Sequence, residues 1–131
     1  MKYTIDKKDY GINVNLTDSL TFRDHDTFFE IVKYIKTNKP HVVVLNMKDC
    51  DFIDSAGLGM CVILSDEVGF INGTVAIVNP VGKVRAVMYA ARFNSLFRML
   101  PEKDADKSLT DNKINQFVAN NFKWPLPRNI K

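Results

Sequence analysis

The first part of the chain alternates apolar and polar residues in two short runs. Residues 3–6 form the first run, and in the second, residues 11–16, three aliphatic side chains alternate with two asparagines. This spacing predicts two β-strands, the second with one buried face. Because Asp9, Tyr10 and Gly11 between them favour a turn, the two strands are predicted to form an antiparallel hairpin.

The next segment changes to a helical spacing. Phe28, Phe29, Val32 and Ile35 recur on one face of a helix predicted over residues 22–36. A threonine suited to the N-cap precedes this helix, and an Asn-Lys-Pro sequence ends it.

Further along, apolar segments of strand type alternate with helical ones. Residues 41–47 contain four consecutive aliphatic residues, which is typical of a central strand buried on both faces. The order of elements predicts an α/β fold with a mixed, mostly parallel sheet of four or five strands and about four helices. The remaining predicted elements are a helix over 56–68, a strand over 74–78, a helix over 81–88, a short strand within 96–100 and a last helix over 105–121.

Length and composition limit the classes of protein. A chain of 131 residues has room for one domain, placed at residues 1–122, with a short tail over 123–131. With 46% hydrophobic residues the chain can bury a core. Its net charge of +3 is small and its basic residues are scattered along the sequence, which does not indicate a nucleic-acid-binding patch. Since neither a leader nor a membrane-length apolar run is found, we expect a cytoplasmic protein that contacts no membrane.

Side chains for independent catalysis are few. His25 and His41 are the only histidines, and neither lies in a catalytic motif. No glycine-rich loop has the spacing of a phosphate-binding site. Cys50 and Cys61 lack the spacing of a metal site and are expected to be reduced thiols. We therefore expect no enzyme activity, no metal and no cofactor.

The segment after the central strand carries the strongest signal for function. Phe52 and Ile53 are expected to lead the chain inward, and Asp54 is a good N-cap for the helix that follows. Gly57 and Gly59 lie early in that helix, where glycine is unfavourable. Either a binding partner approaches the backbone there, or the helix packs tightly against a neighbouring strand. The residues alone favour tight packing.

Residues 52–59, Phe-Ile-Asp-Ser-Ala-Gly-Leu-Gly, resemble the signature of the STAS domain, named for sulfate transporters and anti-sigma factor antagonists. Other landmarks follow in the order of the family, including a turn at Gly73 and the pair Asn79-Pro80. The resemblance extends over residues 3–122 and implies the STAS fold, with only the tail outside it.

In the antagonist branch of that family, a partner kinase of the histidine-kinase-like ATPase type phosphorylates the serine after the signature aspartate. The resemblance therefore implies that the unphosphorylated chain binds an anti-sigma factor, and that phosphorylation at Ser55 releases it. The resemblance also implies that a serine phosphatase resets this switch and that transcription is regulated without direct contact to nucleic acid. The implied partner-binding residues are Leu20, Thr21, Asp54, Ser55, Ala56, Gly57, Leu58 and Gly59.

Two positions differ from the family pattern. Thr21 stands where well-studied antagonists carry an aspartate that is implicated in phosphorylation. Thr21 either serves only as a helix cap or contacts the kinase, and Asp18 or Asp24 is the candidate for the missing negative charge. Ala56 replaces a second serine found in many members, which leaves Ser55 as the implied acceptor.

Other functions remain open on the sequence. One is a STAS regulator or scaffold of a pathway without sigma factors, such as stress signalling, biofilm or secretion control, again switched by a kinase and a phosphatase. Another is a flavodoxin-like receiver phosphorylated on Asp54, although the first strands are not followed by the acidic pair that holds Mg²⁺ in receivers. The tail around Trp124 is expected to pack on the last helix or on a partner.

Overall fold

The structure, a computed structural model, describes residues 1–101 and 109–122. Within these residues, five strands and five α-helices follow one another, and a 3-10 turn over Phe22–Asp24 precedes the first helix. The elements are β1 (Lys2–Lys8), β2 (Gly11–Leu20), α1 (His25–Asn38), β3 (Val42–Ile53), α2 (Ser55–Phe70), β4 (Thr74–Val78), α3 (Gly82–Ala90), α4 (Phe93–Leu96), β5 (Arg98–Leu100) and α5 (Asp111–Asn121).

The strands form one mixed sheet in which the spatial order follows the chain order from β1 to β5. β1 is antiparallel to β2, and the other neighbouring pairs are parallel. Right-handed crossovers between sequential parallel strands place the connecting helices on one face of the sheet. Accordingly, α1 to α4 share one hydrophobic cluster, while α5 belongs to a second cluster. The predicted fold class and hairpin are confirmed, whereas the short α4 was not predicted.

Two helices begin later than the apolar spacing predicted. α1 begins only at His25, because Thr21 and Asp24 form a reciprocal capping box around the 3-10 turn before it. α5 begins at Asp111, and residues 105–108 of the predicted helix lie outside the described part of the chain.

β3 is longer than the strand predicted over residues 41–47. It continues to Ile53, and its pairing with β2 shifts register after Asn46 and again after Cys50, where β3 carries an extra residue each time. Each such bulge changes the face on which the following residue lies. As a result, Met47, Cys50 and Ile53 are all buried in the same cluster, although their spacing is not that of a regular strand.

The expectation that Phe52 leads the chain inward is wrong. Its side chain is 50% exposed, while the neighbouring Ile53 is 4% exposed. The register pairs Phe52 with Ser19 and Ile53 with Leu20. Because consecutive strand residues point to opposite faces, only Ile53 reaches the side covered by helices.

A buried asparagine joins α5 to the sheet. Asn79, just after β4, is fully buried and has a left-handed backbone conformation with φ at 59°. Its side-chain Oδ1 accepts from the backbone N–H of Leu109 at 2.7 Å, and its Nδ2 donates to the carbonyl of Leu109 at 3.2 Å. The amide therefore satisfies both backbone groups of a residue that lies just before α5, much as a neighbouring strand would.

Removal of this amide is expected to loosen α5. Asn79→Ala should lower the free energy of unfolding by about 2–4 kcal/mol, because it leaves two backbone groups of Leu109 unpaired and places alanine in a left-handed conformation. Asn79→Gly keeps the backbone conformation accessible and isolates the loss of hydrogen bonds. Hydrogen exchange should quicken at Ile114 and Val118 in both variants. The exposed Asn120→Ala serves as the control, and unchanged exchange in the Asn79 variants would contradict this role.

Candidate functional site

The signature serine lies at the carboxyl edge of the sheet, where β3 leads into α2. Ser55 is the first residue of α2 and is exposed. Asp54 is the N-cap, and its Oδ1 accepts from the backbone N–H of Gly57 at 2.8 Å. Its Oδ2 accepts from the backbone N–H of Phe22 at 3.1 Å. The Asp54 carboxylate thus joins the start of α2 to the 3-10 turn that follows β2.

The two glycines of α2 have different surroundings. A Cβ at Gly57 would lie 2.3 Å from the carbonyl oxygen of Leu20 and 2.8 Å from Cγ1 of Ile53. A Cβ at Gly59 would meet no heavy atom within 4 Å. Tight packing against a neighbouring strand therefore accounts for Gly57, but it does not account for Gly59.

The loop before α1 holds Thr21 and Asp24 together. Asp24 Oδ2 accepts from the backbone N–H of Thr21 at 2.8 Å and from its hydroxyl at 3.2 Å, and the Thr21 hydroxyl accepts from the backbone N–H of Arg23 at 3.3 Å. Asp24 Oδ1 also accepts from the amino group of Met1 at 2.8 Å. The structure therefore gives Thr21 the role of a cap.

The charged carboxylate of Asp24 is paired within the fold, with the amino group of Met1. Its burial raises the pKa of the carboxyl, but the amino group of Met1 and the hydrogen bonds from Thr21 outweigh that effect, and the net pKa lies below its ordinary value. Asp24 is 8% exposed. Of the two acidic residues considered as a substitute for the family's aspartate, only Asp18 is exposed.

The residues that the sequence assigned to partner binding are close together but differ in exposure. Ser55 and Gly59 are exposed, and Gly57 is buried. The Leu20 side chain is also buried, and the residue contributes through its backbone carbonyl, which accepts from the N–H of Asp54 at 3.3 Å. The half-buried members of the set are Thr21, Asp54, Ala56 and Leu58.

Sequence reasoning missed two aromatic side chains near Ser55. Phe22 is 64% exposed, and the Arg23 guanidinium carbon lies 5.6 Å from the centroid of its ring. Phe52, three residues before Ser55, is half exposed. A signal for Phe22 was present, because it does not belong to the apolar residues whose spacing defined α1.

The two cysteines are buried and unpaired, as expected for reduced thiols. Burial raises the pKa of both, that of Cys61 to about 12, so they are protonated and unsuited to nucleophilic chemistry. In the described residues, no group of three or more metal-ligating side chains occurs. Nor does this part of the chain contain a helix that is long and apolar enough to cross a membrane.

Comparisons of the sequence with known proteins point to one family. The sequence profile of the STAS domain matches residues 5–105. A STAS-domain containing protein of Pseudomonas aeruginosa (strain UCBPP-PA14) is 23% identical over 88 residues, which cover 67% of this chain and 86% of that protein.

Solved structures with similar folds include two of SpoIIAA. The anti-sigma factor antagonist SpoIIAA in its unphosphorylated form aligns with a TM-score of 0.67 at 15% identity, covering 90% of this chain and 98% of that one. The phosphorylated form of this Bacillus cell fate determinant aligns with a TM-score of 0.65 at 13% identity, covering 89% and 99%.

The sheet order and the position of the helices define an α/β domain with the fold of the anti-sigma factor antagonists. The structural comparisons show only the fold, whereas the profile match over residues 5–105 also shows the family. The chain belongs to the STAS domain family.

Proposed function

We propose that this protein is a binding module without catalytic activity of its own, switched by phosphorylation of Ser55. The exposure of Ser55 at the start of α2, directly after the N-cap Asp54 of the family signature, carries the proposal. Unphosphorylated, the chain binds an anti-sigma factor or a related serine kinase of the histidine-kinase-like ATPase type. When Ser55 is phosphorylated, the chain releases that partner. A serine phosphatase then removes the phosphate and restores the binding form. The proposal places the protein in the cytoplasm and requires no cofactor, membrane or direct contact with nucleic acid.

The surroundings of Ser55 suit a switch that acts without refolding. A helix N-terminus tolerates negative charge, because its unpaired N–H groups and the helix dipole favour an anion. SpoIIAA has been solved in both its unphosphorylated and its phosphorylated form, and each form resembles the fold of this chain to a similar degree. These observations support a change in surface charge as the means of control.

The proposal is tested by phosphate transfer. Each histidine-kinase-like ATPase of the source organism is purified and incubated with ATP and the chain, and the site is mapped by mass spectrometry. We expect an acid-stable phosphoserine at Ser55 that is lost in Ser55→Ala and retained in Ser95→Ala, which alters an exposed serine of α4. A labile acyl phosphate on Asp54 would instead favour a receiver, and the absence of transfer from every kinase would contradict the proposal.

A further inference from the structure

We infer that Phe22 is an aromatic anchor for the partner protein, seated in an apolar pocket of that partner beside a carboxylate that meets Arg23. The inference rests on the proposed function, because the same partner would face Ser55. It adds the side chain and the chemistry by which that partner is recognised.

The position of Phe22 is fixed before any partner binds. Its backbone N–H donates to Asp54 Oδ2 at 3.1 Å, and Asp54 is the residue directly before Ser55. The N–H of Asp24 donates to the carbonyl of Thr21 at 2.9 Å, which closes the 3-10 turn around Phe22. A backbone held in this way loses little conformational freedom on binding, so less of the contact energy is spent on ordering the turn.

The exposure of Phe22 has no explanation within the described fold. Its side chain is 64% exposed, although the chain buries Phe28, Phe93 and Phe97 almost completely. Large aromatic residues and arginines that are exposed in the free protein and desolvated in a complex commonly dominate the affinity of an interface. Phe22 and Arg23 are such a pair, continuous with the proposed interface at Ser55.

The charges nearby favour a protein over a lipid surface. Arg23 lies over the Phe22 ring, with its guanidinium carbon 5.6 Å from the centroid, and it offers a bidentate donor to a carboxylate of the partner. Asp18 and Asp26 are exposed on either side of this pair in the sequence. These carboxylates would be repelled by the anionic headgroups of a cytoplasmic membrane surface, whereas a protein can place complementary groups opposite each charge.

The test compares two exposed phenylalanines. The dissociation constant for each purified histidine-kinase-like ATPase is measured by titration calorimetry with the wild-type chain, Phe22→Ala and Phe70→Ala. Phe70 is 82% exposed and is the last residue of α2, at the opposite end of that helix from Ser55. We expect Phe22→Ala to weaken binding by about tenfold or more and Phe70→Ala to leave it within about twofold.

A second pair tests the charge. Arg23→Glu should weaken binding at least as much as Phe22→Ala, whereas Arg92→Glu, at an exposed site next to α4, should have no effect. Circular dichroism and thermal unfolding are measured for every variant, and both should match the wild-type chain.

Three outcomes of the kinase experiments separate the two proposals, and a fourth, from vesicle binding, would change the kind of partner. Binding that is lost in Phe22→Ala and Arg23→Glu but kept in Phe70→Ala and Arg92→Glu supports the anchor. Wild-type affinity in these variants overturns the anchor and leaves the phosphorylation switch intact. A wild-type chain that neither binds nor receives phosphate from any of the kinases overturns the proposed function and the anchor together. If the wild-type chain binds anionic vesicles of phosphatidylglycerol and Phe22→Ala does not, the anchor contacts a membrane, and the inference of a protein partner is overturned.

Discussion

Gly57→Ala is expected to lower the free energy of unfolding by about 3 kcal/mol, while Gly59→Ala raises it by up to about 1 kcal/mol. The Cβ added at Gly57 would lie 2.3 Å from the carbonyl oxygen of Leu20. A backbone atom of a central strand cannot move aside as a flexible side chain can, so α2 must shift away from β2. At Gly59 no atom lies within 4 Å of the added Cβ, and only the better helix propensity of alanine remains.

Both effects are measured by urea unfolding of the two variants and the wild-type chain. One m-value, the slope of the free energy of unfolding against urea concentration, is used for all three. The Gly57 substitution should also disturb the site, since a shift of α2 lengthens the hydrogen bond between Asp54 and the N–H of Phe22. Equal stability of the two variants would mean that Leu20 does not lie against α2 as the structure has it. Under the proposed function, the bare backbone at Gly59 faces the partner about one helical turn from Ser55.

Where the apolar spacing was regular, it predicted the fold. The strand over Thr74–Val78 was predicted with its observed bounds, and the hairpin of β1 and β2 was found as expected. The spacing failed in the second half of β3, because two bulges change the face of successive residues there. Core residues at 47, 50 and 53 do not follow the alternation of a regular strand, so the strand predicted from the sequence ended at residue 47.

The site was predicted only as far as it is local in sequence. The N-cap role of Asp54 follows from residues next to it, and its bond to Gly57 was foreseeable. Its second bond joins it to Phe22, 32 residues away, and depends on the pairing of β2 with β3. The close approach of Leu20 to Gly57 depends on the same pairing. The expected packing of Trp124 lies outside the described residues.

Negative charge at Ser55 is expected to weaken partner binding in proportion to its size. At a separation of ~6 Å and an effective dielectric near 40, one added charge opposite a carboxylate of the partner costs about 1.4 kcal/mol, and a phosphate dianion costs about twice that. Ser55→Asp should therefore lower affinity by about tenfold and phosphorylation by about a hundredfold. Ser55→Ala, which adds no charge, should bind like the wild-type chain.

The fold should be unchanged across this series, since the added charge is exposed at the N-terminus of α2 and the helix dipole favours it. Circular dichroism spectra of Ser55→Ala, Ser55→Asp and the phosphorylated chain should superimpose. The differences in affinity, measured by titration against the partner kinase, should shrink as salt rises from about 0.05 to 0.5 M, because the Debye length then becomes comparable to the separation. Equal affinity of Ser55→Ala and Ser55→Asp at low salt, or unfolding of the phosphorylated chain, would contradict control by surface charge.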